Sequence, residues 1–403
     1  MIRRPTTILG LLTALNLLNY LDRIVVSAVL KQIKVDLDLS YFMAGLLGSV
    51  FILGYSLTSP IFGSLADRGS RKVLIALGVA VWSIATIASG LAGTALSLLA
   101  IRACVGVGEA SYATVAPTII DDASPPAKKG RWLAVFYVAT PVGSALGWLV
   151  GGFVAKHWGW RHAFFVAGGP GLLLAFLCLL IQEPIRKKVT AKADLVANIK
   201  RLWPLRTYRR GVLGYCAYTF AIGGFSHWAP TFLQDRYKLD IDVANFRFGL
   251  ITVVAGAIGT AIGGSWADRA LARARTSDDD AIARVNLRVC SIGAFLGAPA
   301  CVACFLAPSP TQFFVVAFVA EIALFLGTSP INAAILRSVP TELRASAMAL
   351  SIFAIHVLGD LWSPSVIGLV ATYAPMASAM MAVPFAIAAA AVLWHQRGVA
   401  REA

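Results

Sequence analysis

The sequence predicts an all-α membrane protein in which twelve transmembrane helices form two related six-helix halves. Three observations predict it: the composition, the long apolar runs and an internal repeat. Of the 403 residues, 58% are hydrophobic and 14% are charged, whereas a soluble domain has about a quarter of its residues charged. Residues 73–100 and 376–394 are nearly free of charge, and a membrane helix needs about 20 such residues. Strands of a β-barrel would alternate polar and apolar positions, which these runs do not.

The repeat divides the chain. Residues 63–68 (GSLADR) recur as residues 264–269 (GSWADR), and each copy follows an apolar run and precedes basic residues. Parallel repeats of this kind are typical of transporters, with the substrate site near the membrane midplane between the repeats. We therefore expect a first bundle at residues 1–185, a basic cytoplasmic linker at 186–207 with a short amphipathic helix, and a second bundle at 208–403.

The predicted spans also orient the chain. They cover residues 6–34, 40–66, 72–93, 96–121, 130–155, 161–181, 209–235, 245–268, 285–306, 311–336, 344–371 and 375–396. Loops on one side then hold 26 of the 35 Lys and Arg residues. This asymmetry predicts that both termini are cytoplasmic, and we expect the plasma (inner) membrane of a bacterium. No small-residue cleavage site ends the first run, so it is expected to be a helix and not a removed signal peptide.

Several partners are not expected. The net charge of +15 follows from the loop asymmetry, so we expect no nucleic acid. The six cysteines lie in apolar stretches, and Cys301 and Cys304 form a C-x-x-C without a second ligand pair. We expect these thiols to pack between helices, and we expect no metal and no cofactor.

Charged residues inside the predicted spans are few. They are Asp22, Arg23, Arg102, Glu109, Glu321, His356 and Asp360. A charge at mid-span costs at least about 2.5–3.5 kcal/mol, so each needs a partner or a function. Arg102 and Glu109 lie seven residues apart, about 10 Å along one helix face, too far to pair. We expect Glu109 to pair with Arg23 and Arg102 with Asp22, although the partners could exchange. The alternative is that these are fixed ion pairs that only join helices.

Neighbouring polar residues extend this cluster. Asn16, Asn19 and Arg23 follow the i, i+3, i+7 spacing of one helix face. Tyr112 lies one turn beyond Glu109. Asn19 and Tyr112 are therefore candidates to contact a substrate.

The repeated loops suggest a gate. Asp67 with Arg68 and Arg71 can pair with a neighbouring helix end and latch the cytoplasmic side in one state. Basic loop residues that only set topology are the alternative, but they do not explain an acidic residue at the same place in both copies. Asp268 with Arg269 is the second copy.

Three motifs resemble those of the major facilitator superfamily. They are Gly63-x-x-x-Asp67-Arg68-x-x-Arg71-Lys72, Arg102-x-x-x-Gly106-x-Gly108-Glu109-Ala110 and Pro141-x-Gly143-x-x-x-Gly147-x-x-x-Gly151-Gly152. The glycines of the third leave one helix face bare, so that another helix can approach closely. Static packing and a sliding contact both explain that face.

Further strings resemble the spinster branch of this superfamily. They are Asn19-Tyr20-Leu21-Asp22-Arg23, Gly108-Glu109-Ala110-Ser111-Tyr112, Ala116-Pro117-Thr118-Ile119-Ile120-Asp121 and Gly359-Asp360-Leu361-Trp362-Ser363-Pro364. The resemblance implies transport of sphingolipids and lysophospholipids. It also implies a set in the first and fourth helices that responds to a proton or a headgroup, with Glu321 and His356 as cavity residues of the second half.

The leading hypothesis is a monomeric alternating-access carrier for an amphipathic, anionic, lipid-like molecule. Arg23 and Arg102 would hold the headgroup, and Asp22 or Glu109 would take up a proton, because burial and a nearby arginine act on a carboxylate in opposite directions. An importer of small organic anions, such as sugar acids, is the nearest alternative. A membrane lipid enzyme is another, although the chain has no H-E-x-x-H or G-x-S-x-G. A non-transporting receptor is the last.

Overall fold

A computed structural model describes residue 2 and residues 4–125, 128–183 and 195–396. The described part is almost wholly helical and has no strand beyond one isolated bridge, between Ile2 and Ile181. Its helices are α1 Pro5–Asp36, α2 Tyr41–Arg68, α3 Arg71–Ser89, α4 Ala95–Ala123, α5 Lys129–Trp158, α6 Trp160–Leu179, α7 Leu195–Leu202, α8 Arg206–Arg236, α9 Ile241–Ala274, α10 Asp279–Leu306, α11 Pro310–Phe325, α12 Thr328–Arg337, α13 Arg344–Ile355, α14 Ser363–Tyr373, α15 Met376–Ala379 and α16 Ala382–Trp394.

The membrane prediction is confirmed. Eleven helical segments of the described chain are long and apolar enough to cross a membrane. With α8, which is as long but more polar, the described chain has the twelve long helical segments expected. Three late segments consist of joined pieces: Pro310–Arg337 combines α11 and α12, Thr341–Tyr373 contains α13 and α14, and Met376–Trp394 contains α15 and α16. A π-helical turn, His356–Asp360, joins α13 to α14, and such turns are frequent at functional sites.

The chain divides into two compact units. The first comprises Met1–Val189, Ser226–Gly249 and Pro364–Thr372, and the second comprises Thr190–Phe225, Leu250–Ser363 and Tyr373–Ala403. The division of the sequence into residues 1–185, 186–207 and 208–403 stays a prediction. Within the expected linker, residues 186–194 lie outside the described residues, and α7 is the short helix that follows them. Arg3, Arg397 and Arg401, which contribute to the charge asymmetry, also lie outside them.

Polar contacts explain why parts of α8 and α9 belong to the first unit. Lys31, near the end of α1, forms an ion pair with Asp235 of α8 at 2.8 Å. The hydroxyl of Tyr41 donates to the same carboxylate at 3.0 Å. Asn245 of α9 donates from its side-chain amide to the carbonyl of Ala28 at 3.0 Å. These bonds join the C-terminal end of α1 and the start of α2 to segments that are remote in sequence.

The bare glycine face of α5 packs on α1, as its spacing predicts. A Cβ at Gly147 would lie 2.7 Å from the carbonyl oxygen of Leu21, and one at Gly143 would collide with the carbonyl of Leu17. One turn further, a Cβ at Gly151 would also meet α1. Backbone-to-backbone approach of this kind is what small residues permit between membrane helices. It fixes the position of α1, which carries the first two charges of the candidate site.

Candidate functional site

Four charged side chains meet inside the first unit, two from α1 and two from α4. The Arg23 Nε donates to Glu109 Oε2 at 2.6 Å. The Arg102 Nη1 lies 3.8 Å from Asp22 Oδ1. The expected pairs are therefore confirmed, and the exchanged pairs are not formed. The side chains of Asp22, Arg102 and Glu109 are at most 2% exposed and that of Arg23 is 14% exposed. The quartet is thus buried, and its formal charges cancel.

The two pairs differ in strength. The contact between Arg23 and Glu109 is a short, charge-assisted hydrogen bond, whereas 3.8 Å between Arg102 and Asp22 is too long for a hydrogen bond. Thr86 donates its hydroxyl to the other oxygen of Asp22. The Nε and Nη1 of Arg102 find no hydrogen-bond acceptor among the described residues. Since unsatisfied buried donors are costly, Arg102 is the member of the quartet with unused binding capacity.

Aromatic rings surround the two arginines. The guanidinium of Arg23 lies 5.1 Å from the ring centroid of Tyr20, 5.2 Å from that of Phe51 and 4.8 Å from that of Tyr55. The guanidinium of Arg102 lies 5.1 Å from the Phe51 ring. Cations over ring faces are stabilised by roughly 0.5–2 kcal/mol. The α2 rings were missed from the sequence because aromatic residues are common in membrane helices and carry no distinguishing spacing.

Thr86 was also missed, although the sequence carried a signal for it. Ser83, Thr86 and Ser89 recur every three residues in the otherwise apolar α3, and all three are 0% exposed. A polar row on a helix in an apolar solvent turns toward the protein interior. Thr86 is the member of this row that reaches Asp22.

The predicted substrate contacts Asn19 and Tyr112 lie in different surroundings. Asn19 is 1% exposed, and its side-chain amide nitrogen has no acceptor among the described residues. Tyr112 is fully buried, donates its hydroxyl to the carbonyl of Leu12, and packs its ring edge-on against Trp82 at 5.6 Å. Asn19 therefore has a free donor next to the quartet, and Tyr112 joins α4 to α1. Their contact with a substrate stays a prediction, and the geometry of Tyr112 favours packing.

The charged residues of the second half lie in the second unit. Glu321 on α11 is 3% exposed and accepts a hydrogen bond from the hydroxyl of Thr252 at 3.1 Å. The Nδ1 of His356 lies 3.1 Å from both carboxylate oxygens of Asp360, inside the π-helical turn. The sequence predicted the one-turn spacing of His356 and Asp360 but not the π-helical backbone.

The predicted gate residues are partly engaged. Arg71 is 5% exposed, pairs through Nη1 with Asp122 at the end of α4 at 2.7 Å, and donates to Thr118 at 3.2 Å. The other four are exposed: Asp67, Arg68, Asp268 and Arg269. The helix α9 continues to Ala274, six residues beyond the predicted end of the eighth span at residue 268. Charged residues can extend a helix beyond the membrane surface, where water solvates them.

Comparison with known proteins identifies relatives over most of the chain. Residues 12–364 match the profile of the Major Facilitator Superfamily. "Probable sphingolipid transporter spinster homolog 2" of Arabidopsis thaliana is 33% identical over 407 residues, which cover 92% of this chain and 81% of that protein. "Protein spinster" of Drosophila melanogaster is 35% identical over 369 residues, which cover 88% of this chain and 60% of that longer relative.

A solved structure has the same fold. It is the crystal structure of a bacterial homologue of the human lysosomal transporter Spinster, in an inward-facing and unoccupied conformation. The superposition has a TM-score of 0.80, covers 97% of this chain and 95% of the other, and shows 24% sequence identity. At that identity the likeness establishes the fold alone.

Proposed function

The chain belongs to the major facilitator superfamily, in its spinster branch, and from this premise we propose that the transporter moves an amphipathic anionic lipid of the sphingolipid or lysophospholipid type by proton-linked alternating access. Its membership makes it a multi-pass membrane transporter and not an enzyme. The name of the Arabidopsis relative, a probable sphingolipid transporter, supports a lipid substrate. We propose that it acts as a monomer.

Arg102 carries the proposal of an anionic headgroup. It is 2% exposed, and two of its nitrogens have no hydrogen-bond acceptor among the described residues. A phosphate offers several strong acceptors, and arginine is suited to bind them in a bidentate manner. Arg23 would contribute a second positive charge once it leaves Glu109. Asn19 would donate from its unpaired amide.

The carboxylates of the quartet would link substrate binding to protons. When Glu109 takes up a proton from water it loses its negative charge, and the ion pair with Arg23 weakens. The freed guanidinium stays between the rings of Tyr20 and Tyr55 and becomes available to an anion. Asp22 would release Arg102 in the same way. Proton uptake and headgroup binding would therefore support each other.

Two further proposals concern the cytoplasmic side. The buried pair between Arg71 and Asp122 would hold α3 against the end of α4, and the exposed residues Asp67 and Arg68, with Asp268 and Arg269 in the second copy, would form contacts that differ between states. The positive-inside asymmetry supports cytoplasmic termini, in a bacterial plasma membrane. We also propose His356 and Tyr112 as substrate contacts, with smaller contributions than Arg102.

Uptake into proteoliposomes tests the proposal. A fluorescent lysophosphatidylglycerol and sphingosine-1-phosphate are compared with glucuronate as a sugar acid, with and without a pH gradient. We expect Arg102→Gln to weaken apparent affinity for the lysolipid about ten- to a hundredfold, because hydrogen bonds between charged groups contribute about 1.5–3 kcal/mol. Arg236→Gln, at an exposed arginine at the end of α8, is the matched control and should behave as wild type.

Each other outcome favours a different function. Uptake of glucuronate without the lysolipid favours the importer of organic anions. Binding of the lysolipid without uptake or counter-flow favours a receptor. Equal lysolipid affinity in Arg102→Gln and wild type contradicts the headgroup role of Arg102.

A further inference from the structure

Glu321 is a buried carboxyl without a positive partner. It is 3% exposed, and among the described residues no Lys, Arg or His nitrogen lies within 4.0 Å of it. Its Oε1 accepts one hydrogen bond, from Thr252, and its Oε2 has no hydrogen-bond partner in the described part. An uncompensated carboxylate in such a place is very costly, whereas the neutral acid costs much less.

The helices around Glu321 supply no compensating charge. The titratable groups that face it are the phenol of Tyr218 on α8 and the thiols of Cys301 and Cys304 on α10. The α9 neighbour is the hydroxyl of Thr252. None of these groups is cationic. The surroundings therefore accept Glu321 as a neutral acid and oppose its ionised form.

Close helix packing holds the carboxyl in place. Thr252 shares one face of α9 with Gly259 and Gly263, and a Cβ at Gly259 would lie 2.6 Å from the carbonyl oxygen of Ile322. Glu321 precedes Ile322 on α11, so the two helices approach closely directly beside the carboxyl. A change in the contact between α9 and α11 would open this setting to water.

We propose that Glu321 is a proton-binding site of the second half, distinct from the quartet of the first half. In the packed arrangement of α9 and α11 the carboxyl holds a proton, taken from water. When those helices separate, the proton returns to water and leaves a solvated carboxylate. This inference rests on the proposed proton-linked transport, and it replaces the role of substrate contact that the sequence predicted for Glu321.

The quartet and Glu321 differ in what a proton does to them. The quartet has two carboxylates and two arginines, so an added proton leaves a net positive charge in a buried place. Glu321 alone becomes neutral on protonation.

A metal ion would be a poor substitute for the proton at this site. Glu321 and Thr252 offer few oxygens, whereas hard cations take about six to eight. No cluster of His, Cys, Asp and Glu in the described chain suits a metal.

Infrared spectroscopy of the purified full-length protein in lipid nanodiscs tests the site directly. Without substrate at neutral pH, we expect a carbonyl band of a protonated carboxylic acid. Glu321→Gln should remove this band, and the matched variant Glu109→Gln should retain it. A band that persists unchanged in Glu321→Gln overturns the proposal. This measurement does not depend on which substrate is transported.

Transport assays distinguish a role of Glu321 in proton binding from a role in substrate binding. The assay uses proteoliposomes with a fluorescent lysophosphatidylglycerol. We expect accumulation driven by a pH gradient to fall at least about tenfold in Glu321→Gln, and counter-flow to stay within about twofold of wild type. Glu321→Asp, which retains a carboxyl, should recover part of the accumulation. Accumulation like wild type in Glu321→Gln, or parallel loss of counter-flow, overturns the proposal. If wild type moves no lysolipid at all, the substrate proposal fails while the infrared result still stands.

Discussion

Equivalent positions in the two halves carry side chains of different chemical character. The repeat offset between Gly63 and Gly264 places Thr252 where the first half has Phe51. Alignment of α4 and α11 at their N-caps likewise places Glu321 where α4 has Gly106. The two positions touch in both halves: Gly106 meets the backbone of Phe51, and Glu321 accepts a hydrogen bond from Thr252. The first half has a ring beside arginines at this contact, and the second has a hydroxyl beside one carboxyl.

The helix ends next to the repeated motifs show a second reversal. In the first half the arginine begins α3 and the acid ends α4, as the buried pair of Arg71 and Asp122. In the second half the acid begins α10 and the arginine ends α12, as Asp279 and Arg337 at 2.6 Å, with side chains 41% and 47% exposed. A duplicated scaffold has thus kept its contacts and exchanged its charges. We infer that the first half binds the anion, with protons acting through the carboxylates of its quartet, whereas Glu321 of the second half binds a proton without contacting the anion.

The test with the largest expected effect replaces one carboxyl in each half by a neutral amide. Glu109→Gln leaves Arg23 buried without its anion, and breaking a buried ion pair costs about 3–5 kcal/mol. Glu321→Gln replaces an acid that is already neutral by an amide of similar shape, and we expect a change below about 1 kcal/mol. The stability of each variant is measured as its free energy of unfolding in mixed micelles.

A double variant sharpens the result. Arg23→Gln with Glu109→Gln removes both charges and should recover most of the lost stability. If Glu321→Gln proves as destabilising as Glu109→Gln, then Glu321 is ionised and paired in the folded protein. The contrast between the halves would then be wrong.

The sequence predicted this contrast only in part. Hydrophobicity and the repeat sufficed for the helices, because lipid allows few alternatives to a helix. The pairing of Arg23 with Glu109 was predictable because few charges lie in the membrane, so each has few partners. The isolation of Glu321 was not predictable, since it depends on which helices surround α11. Thr252 and Phe51 are ordinary membrane residues, and only the packing of α2 and α9 gives them a role.

A test with a smaller expected effect replaces the residues beside the charged groups and leaves the charges in place. Phe51→Leu removes the ring shared by Arg23 and Arg102 and should weaken lysolipid affinity several-fold, since a cation–π contact contributes roughly 0.5–2 kcal/mol. Thr252→Val removes the hydrogen bond that the Glu321 carboxyl accepts from a side chain in the described part of the chain. It should change the pH dependence of the infrared carboxyl band and leave lysolipid affinity unchanged. If Thr252→Val instead weakens affinity like Phe51→Leu, the halves do not divide these roles.

The smallest expected effect concerns how equivalent helices begin. The helix α10 is capped locally, because Asp278 accepts from the backbone N–H of Ala281 at 2.8 Å. The helix α3 depends on a distant acid: Glu183 accepts from the hydroxyl of Ser70 and from the backbone N–H of Lys72, the latter at 3.0 Å. Burial alone would raise the pKa of Glu183, but these hydrogen bonds outweigh it and hold the pKa below its ordinary value of 4.5.

The pH dependence of this contact follows from the lowered pKa. Stabilisation by the Glu183 carboxylate is fully present above pH 4.5 and is lost as the pH falls through the lower pKa of the folded state. We therefore expect Glu183→Gln to reduce the free energy of unfolding by about 0.5–1 kcal/mol at neutral pH and by nothing in strong acid. Asp278→Asn, which keeps a good cap, is the control and should change stability less. A deficit in Glu183→Gln that is equal at all pH values would show that shape, and not charge, holds the start of α3.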